Sequence, residues 1–327
     1  MSYLSFAFKK IVFLSFLLIA SSCTGNDVED DPLLDIIKEL PEEKEPEPVE
    51  EVILPQSDLK NTGNWVLNEE ISDEFNATDL DEDRWHIQGK GGVYVSNFIG
   101  RAPSQFSTQN INIENGILKL VSKWEPDFDF NTEKTQTVGG VEYKYENITT
   151  AALVGKRYFK YGYMEIKSKS AKAPVTSSFW TTGNKSELDM FETFGGHKTV
   201  DAWRKRLKYN AISWDPNNKY YLPDGLGPAY TTNIQVAHNT ADDFHVYGFE
   251  WSADAIKIYI DGVLHEQGNL TKALVTNNGT DLERWVTDVD YKIWVDSETF
   301  PWLGLPTEED LPAVYEIDYI RVWQKEE

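Results

Sequence analysis

From Asn61 to the end of the chain, apolar and polar positions alternate with a period of two in many short runs separated by turn residues. Examples are GILKLVSKW (Gly116 to Trp124), YGYMEIKSKS (Tyr161 to Ser170), FHVYGFEWS (Phe244 to Ser252), AIKIYIDGVLHEQ (Ala255 to Gln267) and YEIDYIRVWQ (Tyr315 to Gln324). Side chains alternate between the two faces of a strand, so this pattern predicts strands with one buried face. Asp261-Gly262 inside IYIDGVLHE is a tight hairpin signal. Only LTKALV, Leu270 to Val275, suggests a short helix, and no internal repeat is visible. Many antiparallel strands at this spacing predict an all-β sandwich or barrel.

The first 60 residues break the pattern. Lys9 and Lys10 precede an apolar run from Ile11 to Ala20, and small residues lead to Cys23. That order is the grammar of a secretory leader, and the run is too short to span a bilayer as a mature helix. IASSC resembles a bacterial lipobox, which implies cleavage after residue 22 and lipid on the sulfur of Cys23. An ordinary signal peptide with an incidental cysteine, or a buried apolar helix, are the alternatives. Residues 23–60 are rich in Glu and Pro and nearly free of aromatics, so they predict an extended acidic tether. The expected organisation is a leader over 1–22, a tether over 23–60 and a folded domain over 61–327.

Composition narrows the partners. The 327 residues carry a formal net charge of −23, which argues against nucleic acid, because a phosphate backbone would be repelled. With Cys23 the only cysteine, there is no intrachain disulfide framework and no cysteine-based zinc site.

The stretch SELDMFETFGG, Ser186 to Gly196, places Glu187, Asp189 and Glu192 among apolar residues. On a strand Glu187 and Asp189 share a face, whereas Glu192, five residues after Glu187, falls on the other. A β-bulge between Asp189 and Glu192 would consume one residue and return all three acids to one side. Two carboxyl groups about 5–5.5 Å apart across a scissile bond are the equipment of a retaining glycosidase. Crowding would raise the pKa of one acid while its neighbour stays ionised. A metal cluster and a solvated charged face are the alternatives. The interleaved Leu, Met and Phe speak against a solvated face, and a calcium loop calls for Gly and Asn spacing.

SELDMFETFGG resembles the E-x-D-x-x-E signature of glycoside hydrolase family 16, a group of jelly-roll β-sandwich (concanavalin A-like) endo-glycanases with an open cleft. The resemblance extends in order through ENGILKLVS, YKYGYMEIKSKS, DDFHVYGFEWSADAIKIYIDG and EIDYIRVWQ. GRAPSQFS (Gly100 to Ser107) and WVDSETFPWLGLPTEEDLP (Trp294 to Pro312) look like the marine agarase and porphyranase branch. The resemblance implies Glu187 as nucleophile, Asp189 as its assisting acid and Glu192 as general acid/base. It implies Trp180 as a sugar-stacking platform and Arg101 as a ligand of ring hydroxyls or a sulfate; a core aromatic and a structural ion pair are the alternatives. Glu298, in WVDSETFPW, is expected to bind substrate at the cleft edge. Asp318, with carbonyls near Asn76 and Gly116, matches a structural calcium site, with an aspartate paired to a neighbouring arginine as the alternative.

DAWRKRLKYN, Asp201 to Asn210, concentrates Trp203, Arg204, Lys205, Arg206 and Lys208 in an otherwise acidic domain. A local positive patch there would suit a sulfated sugar, and a solvated strand or loop face is the alternative. Together these readings predict an outer-membrane lipoprotein, facing outward and monomeric, that cleaves a β-1,4-linked red-algal galactan with retention. Porphyran ranks first, agarose second and κ-carrageenan third. No organic or redox cofactor is expected. A non-catalytic glycan-binding lipoprotein and a transglycosylase are the competing classes.

Overall fold

The computed structural model describes residues 52–213, 228–266, 269–271 and 289–325, all within one compact unit, Val52–Glu327. The leader, Cys23 and the tether as far as residue 51 lie outside the described residues. Among the described residues two large antiparallel-dominated sheets face each other. Seven strands form one sheet, in the order Pro228–Gln235, Arg206–Ser213, Ser186–Thr193, Ser177–Gly183, Tyr291–Asp296, Ala152–Gly155 and Trp85–Ile87. The opposing sheet has eleven strands, centred on His245–Trp251, Gly162–Lys169, Ala313–Lys325 and Ile117–Trp124.

The core is what the period-two pattern requires. Phe179, Leu188, Met190, Phe191 and Leu207 come from the seven-stranded sheet; Leu118, Ile166, Phe249, Ile258, Ile317 and Val322 meet them from the other. Fully burying such a side chain stabilises by about 1.5–3 kcal/mol, so the in/out register of each strand is strongly set. This is a β-jelly-roll sandwich. The Asp-Gly turn is present, with Asp261 at φ 50° and Gly262 at φ 77° between Ala255–Ile260 and Val263–Leu264.

Two expectations need correction. Residues 52–60 belong to the folded unit, not to the tether: Trp323 Nε1 donates to the Ile53 carbonyl at 2.8 Å, and Gln56 N donates to Glu165 Oε2 at 2.9 Å. Their few apolar residues were masked by averaging with the acidic stretch before them. Leu270–Thr271, assigned to a helix from its apolar residues, is a strand paired with Ala255–Ile256; the remainder of LTKALV lies outside the described residues.

Candidate active site

The strand Ser186–Thr193 carries the predicted bulge. Asp189 lies opposite Trp180 on one neighbouring strand, yet Phe191 lies opposite Phe179, so Met190 is the extra residue. On the other side Asp189 faces Asn210 and Glu192 faces Lys208, with the same shift. Leu188, Met190 and Phe191 are all buried in the core. Burying Met190 and Phe191 consecutively is favourable only if the strand kinks between them, and the kink restores Glu192 to the side of Glu187 and Asp189.

All three acids line one cleft of about 720 Å³. The neighbouring strands supply it at regular alternation: Ser178, Trp180 and Thr182 from one, Lys208, Asn210 and Ile212 from another, Trp294 and Asp296 from a third. Asp189 is hydrogen-bonded to Glu187. The Asn210 amide donates to Asp189 Oδ2 at 2.7 Å and to Glu192 Oε2 at 3.2 Å, and Lys208 Nζ donates to Glu192 Oε2 at 2.9 Å. Burial, and then repulsion from Glu192, push the Asp189 carboxyl up to about 7. Asp189 therefore holds a proton well above the ordinary carboxylate range, and that proton can serve its neighbour Glu187.

Trp180 lines the cleft, half-buried, with its indole fixed from two sides. Its Nε1 donates to Asp296 Oδ2 at 2.9 Å, and its ring stacks on Trp294 with centroids 4.6 Å apart. Glu298 is buried at the cleft wall, where burial and then, among the raising effects, Glu192 push it up to about 7 against the pull of Arg101. Its Oε2 faces Arg101 Nε at 3.3 Å, so the ion pair expected as an alternative for Arg101 is present. The same guanidinium also lies over the rings of Phe300 and Trp302, at 5.1 and 5.4 Å, and Arg101 lines the cleft. Trp302 is 51% exposed beside it.

The basic segment divides in two. Arg206 sits over the Trp203 ring, 2.9 Å from its centroid, and both border a small cavity that shares Glu192, Lys208 and Phe300 with the cleft. Arg204 goes elsewhere. It lies in the short helix Asp201–Arg204, donates to the carbonyls of His197 at 2.6 Å and Lys198 at 2.9 Å, and lines a different cavity. Its expected place in the substrate site is corrected to a clamp on the turn after Gly196, because helix phase turns it away from the strand residues that follow.

The residues assigned to calcium do not fit that ion as they stand. Asp318 is the extra residue of a bulge opposite Lys167 and Ser168, and Lys167 Nζ lies 2.5 Å from its Oδ2. An ammonium there occupies the face of the carboxylate a cation would take, while Asn76 adjoins Gly116, its Oδ1 3.3 Å from where a Gly116 Cβ would stand.

Asn210, Trp294, Asp296, Phe300 and Trp302 were not singled out in the sequence. Stepping by two from Glu298 back to Asp296 and Trp294 would have found two of them. Asn210 needed the strand pairing, as did the contact of Lys208 with Glu192.

A β-jelly-roll with three acids and fixed indoles along one open cleft defines a glycoside hydrolase acting on a polysaccharide. Comparison with known proteins is specific. The family described as "Beta-porphyranase A-D, GH16 domain" matches residues 65–325, and the chain belongs to that branch of glycoside hydrolase family 16. It is 28% identical over 283 residues to β-porphyranase B of Zobellia galactanivorans, covering 80% of this chain and 85% of that protein. It is 26% identical over 278 residues to β-porphyranase B of Phocaeicola plebeius, covering 76% and 79%. The crystal structure of porphyranase B from Zobellia galactanivorans superimposes with a TM-score of 0.60 at 25% identity, over 80% of this chain and 92% of that one.

Proposed function

We propose that the protein is a retaining endo-hydrolase of a β-1,4-linked red-algal galactan, with porphyran as its first substrate and agarose its second. The observation that carries this reading is the Met190 bulge, which gathers Glu187, Asp189 and Glu192 on the cleft face. Family membership supports the same chemistry. In the proposed reaction Glu187 attacks the anomeric carbon as Glu192 gives its proton to the departing glycosidic oxygen. A covalent glycosyl ester forms on Glu187. Glu192, now ionised, takes a proton from water, the hydroxide attacks the same carbon, and Glu187 leaves as carboxylate.

Asp189, hydrogen-bonded to Glu187 and pushed up to about 7 by burial and Glu192, shares a proton with its neighbour and keeps that oxygen pair aligned. Lys208 donates to Glu192 Oε2 in the free protein, so the proton for the leaving-group oxygen is carried on the other oxygen of Glu192. Trp180 offers its indole face to a sugar ring, and Asp296 keeps the indole from rotating.

The preference for a sulfated galactan rests on Arg206 and Lys208 at one end of the cleft, in a domain whose overall charge repels anions. Reducing-end release from purified porphyran, agarose and κ-carrageenan, beside a Glu187→Gln control, tests class and substrate together. Release from none of them, with binding retained, would overturn the hydrolase assignment to these galactans.

The leader and Cys23 support export and lipid anchoring at the outer membrane, facing outward, with the monomer as working unit. Labelled fatty acid should enter the wild-type chain and not a Cys23→Ser chain.

A further inference from the structure

Away from the cleft, a second cavity of about 760 Å³ has three histidines in its wall, His197, His238 and His245, of which the last two stand together. His238 follows the strand Pro228–Gln235, His245 opens the strand His245–Trp251, and Asp261 forms the hairpin turn after Ala255–Ile260. The two imidazole rings are parallel within 8°, with centroids 3.3 Å apart. His245 Nδ1 lies 2.8 Å from Asp261 Oδ2. One ligand atom from each of the three residues falls within 4.8 Å of the other two. Among the described residues this is the one group of His, Cys, Asp and Glu so arranged.

We propose that His238, His245 and Asp261 bind a divalent transition metal ion, with Zn²⁺ the ion their chemistry fits.

Two imidazole nitrogens and one carboxylate oxygen are a set that Zn²⁺ accepts, with a fourth position left for water. Ligand atoms about 2.0–2.1 Å from a tetrahedral ion stand about 3.3 Å from one another. The Asp261–His245 pair is already near that separation. Rotation of one ring out of the parallel stack would let both lone pairs converge, since parallel rings aim them side by side.

The supports around these side chains resemble the outer shell of a metal site. Asp261 accepts from Val246 N through Oδ1 at 2.9 Å, which leaves Oδ2 directed at His245. The backbone N of Asp261 donates to the Val246 carbonyl at 2.7 Å, locking the turn. The Tyr247 hydroxyl stands 3.1 Å from His238 Nε2 and fixes that ring. The cations in the cavity wall are engaged elsewhere: Lys172 faces Asp242 at 3.6 Å, Lys205 faces Asp201 at 2.8 Å, and Arg204 donates to backbone carbonyls. An ion here would tie the segment after one sheet's edge strand to a hairpin of the opposite sheet, so its effect is on stability.

The test uses the full chain without a histidine tag, stripped with chelator and titrated with Zn²⁺ by calorimetry. Binding of one ion per chain and a Tm that rises with Zn²⁺ are expected. His238→Gln and Asp261→Asn, each checked for native circular dichroism, should weaken binding by about 10-fold to 100-fold or more. Co²⁺ bound to wild type should show visible absorption of a four-coordinate site that both variants lose. Two variants on different elements keep the test decisive should one fail to fold. Absence of stoichiometric binding, or equal affinity in wild type and variants, would overturn the proposal.

Discussion

Asn210 Nδ2 stands 2.7 Å from Asp189 Oδ2, and the same amide nitrogen reaches Glu192 Oε2 at 3.2 Å. One neutral donor thus couples the two acids that flank the bulge, without adding a charge that would keep Asp189 ionised. The acid in the middle of the motif is the one whose proton is held.

Replacing Asp189 with Asn should therefore change stability with pH. In the wild type the carboxyl titrates at about 7 when folded and at 3.8 as a free group, so the folded state holds more protons between these values. Wild-type stability from this group is complete below pH 3.8 and declines as pH rises toward 7. Asp189→Asn should thus gain stability relative to wild type as pH rises across that window, by up to about a few kcal/mol, with a higher Tm, and lose activity. Thermal melts from pH 4 to 8 check this; a Tm difference independent of pH would remove the explanation.

Packing and chemistry at the bulge should separate by mutation. Met190→Ala leaves a cavity in the core and should cost about 2–5 kcal/mol in denaturant melts. Glu187→Gln should melt near wild type yet lose about 10³-fold or more in kcat. Equal loss of activity in the two folded variants would contradict the division of labour between Met190 and Glu187.

The two arginines of the basic segment should behave differently. Arg206→Ala should lower kcat/KM on sulfated porphyran by about 10-fold to 100-fold more than on neutral agarose, the worth of one charged hydrogen bond. Arg204→Ala should leave the substrate ratio unchanged and lower Tm, since its guanidinium clamps the carbonyls of His197 and Lys198. Initial rates on both polymers decide it.

Gly196 closes the motif for a steric reason. A Cβ on Gly196 would lie 2.0 Å from the backbone nitrogen of Ala173, with no flexible side chain to yield. Gly196→Ala should destabilise by about 1–3 kcal/mol or prevent folding, readable from Tm and soluble yield.

The strand pattern and the three acids were legible because both follow from period two, a local property. The Met190 bulge was legible too, since the parity of Glu187, Asp189 and Glu192 cannot be reconciled on a regular strand. Arg204 was misplaced because charge density along a segment says nothing about helix phase. The ordered start at residue 52 was hidden because its anchors, Trp323 and Glu165, are far away in sequence.

The order of residues alone determined an all-β sandwich and an acidic cluster forced onto one face. Tertiary structure decided which polar residues join the cluster. Lys208, Asn210 and Asp296 reach it through strand neighbours chosen by burial of Phe179, Leu188 and Leu207. Pairing across strands depends on the whole core being filled at once, and no local stretch of chain contains that information.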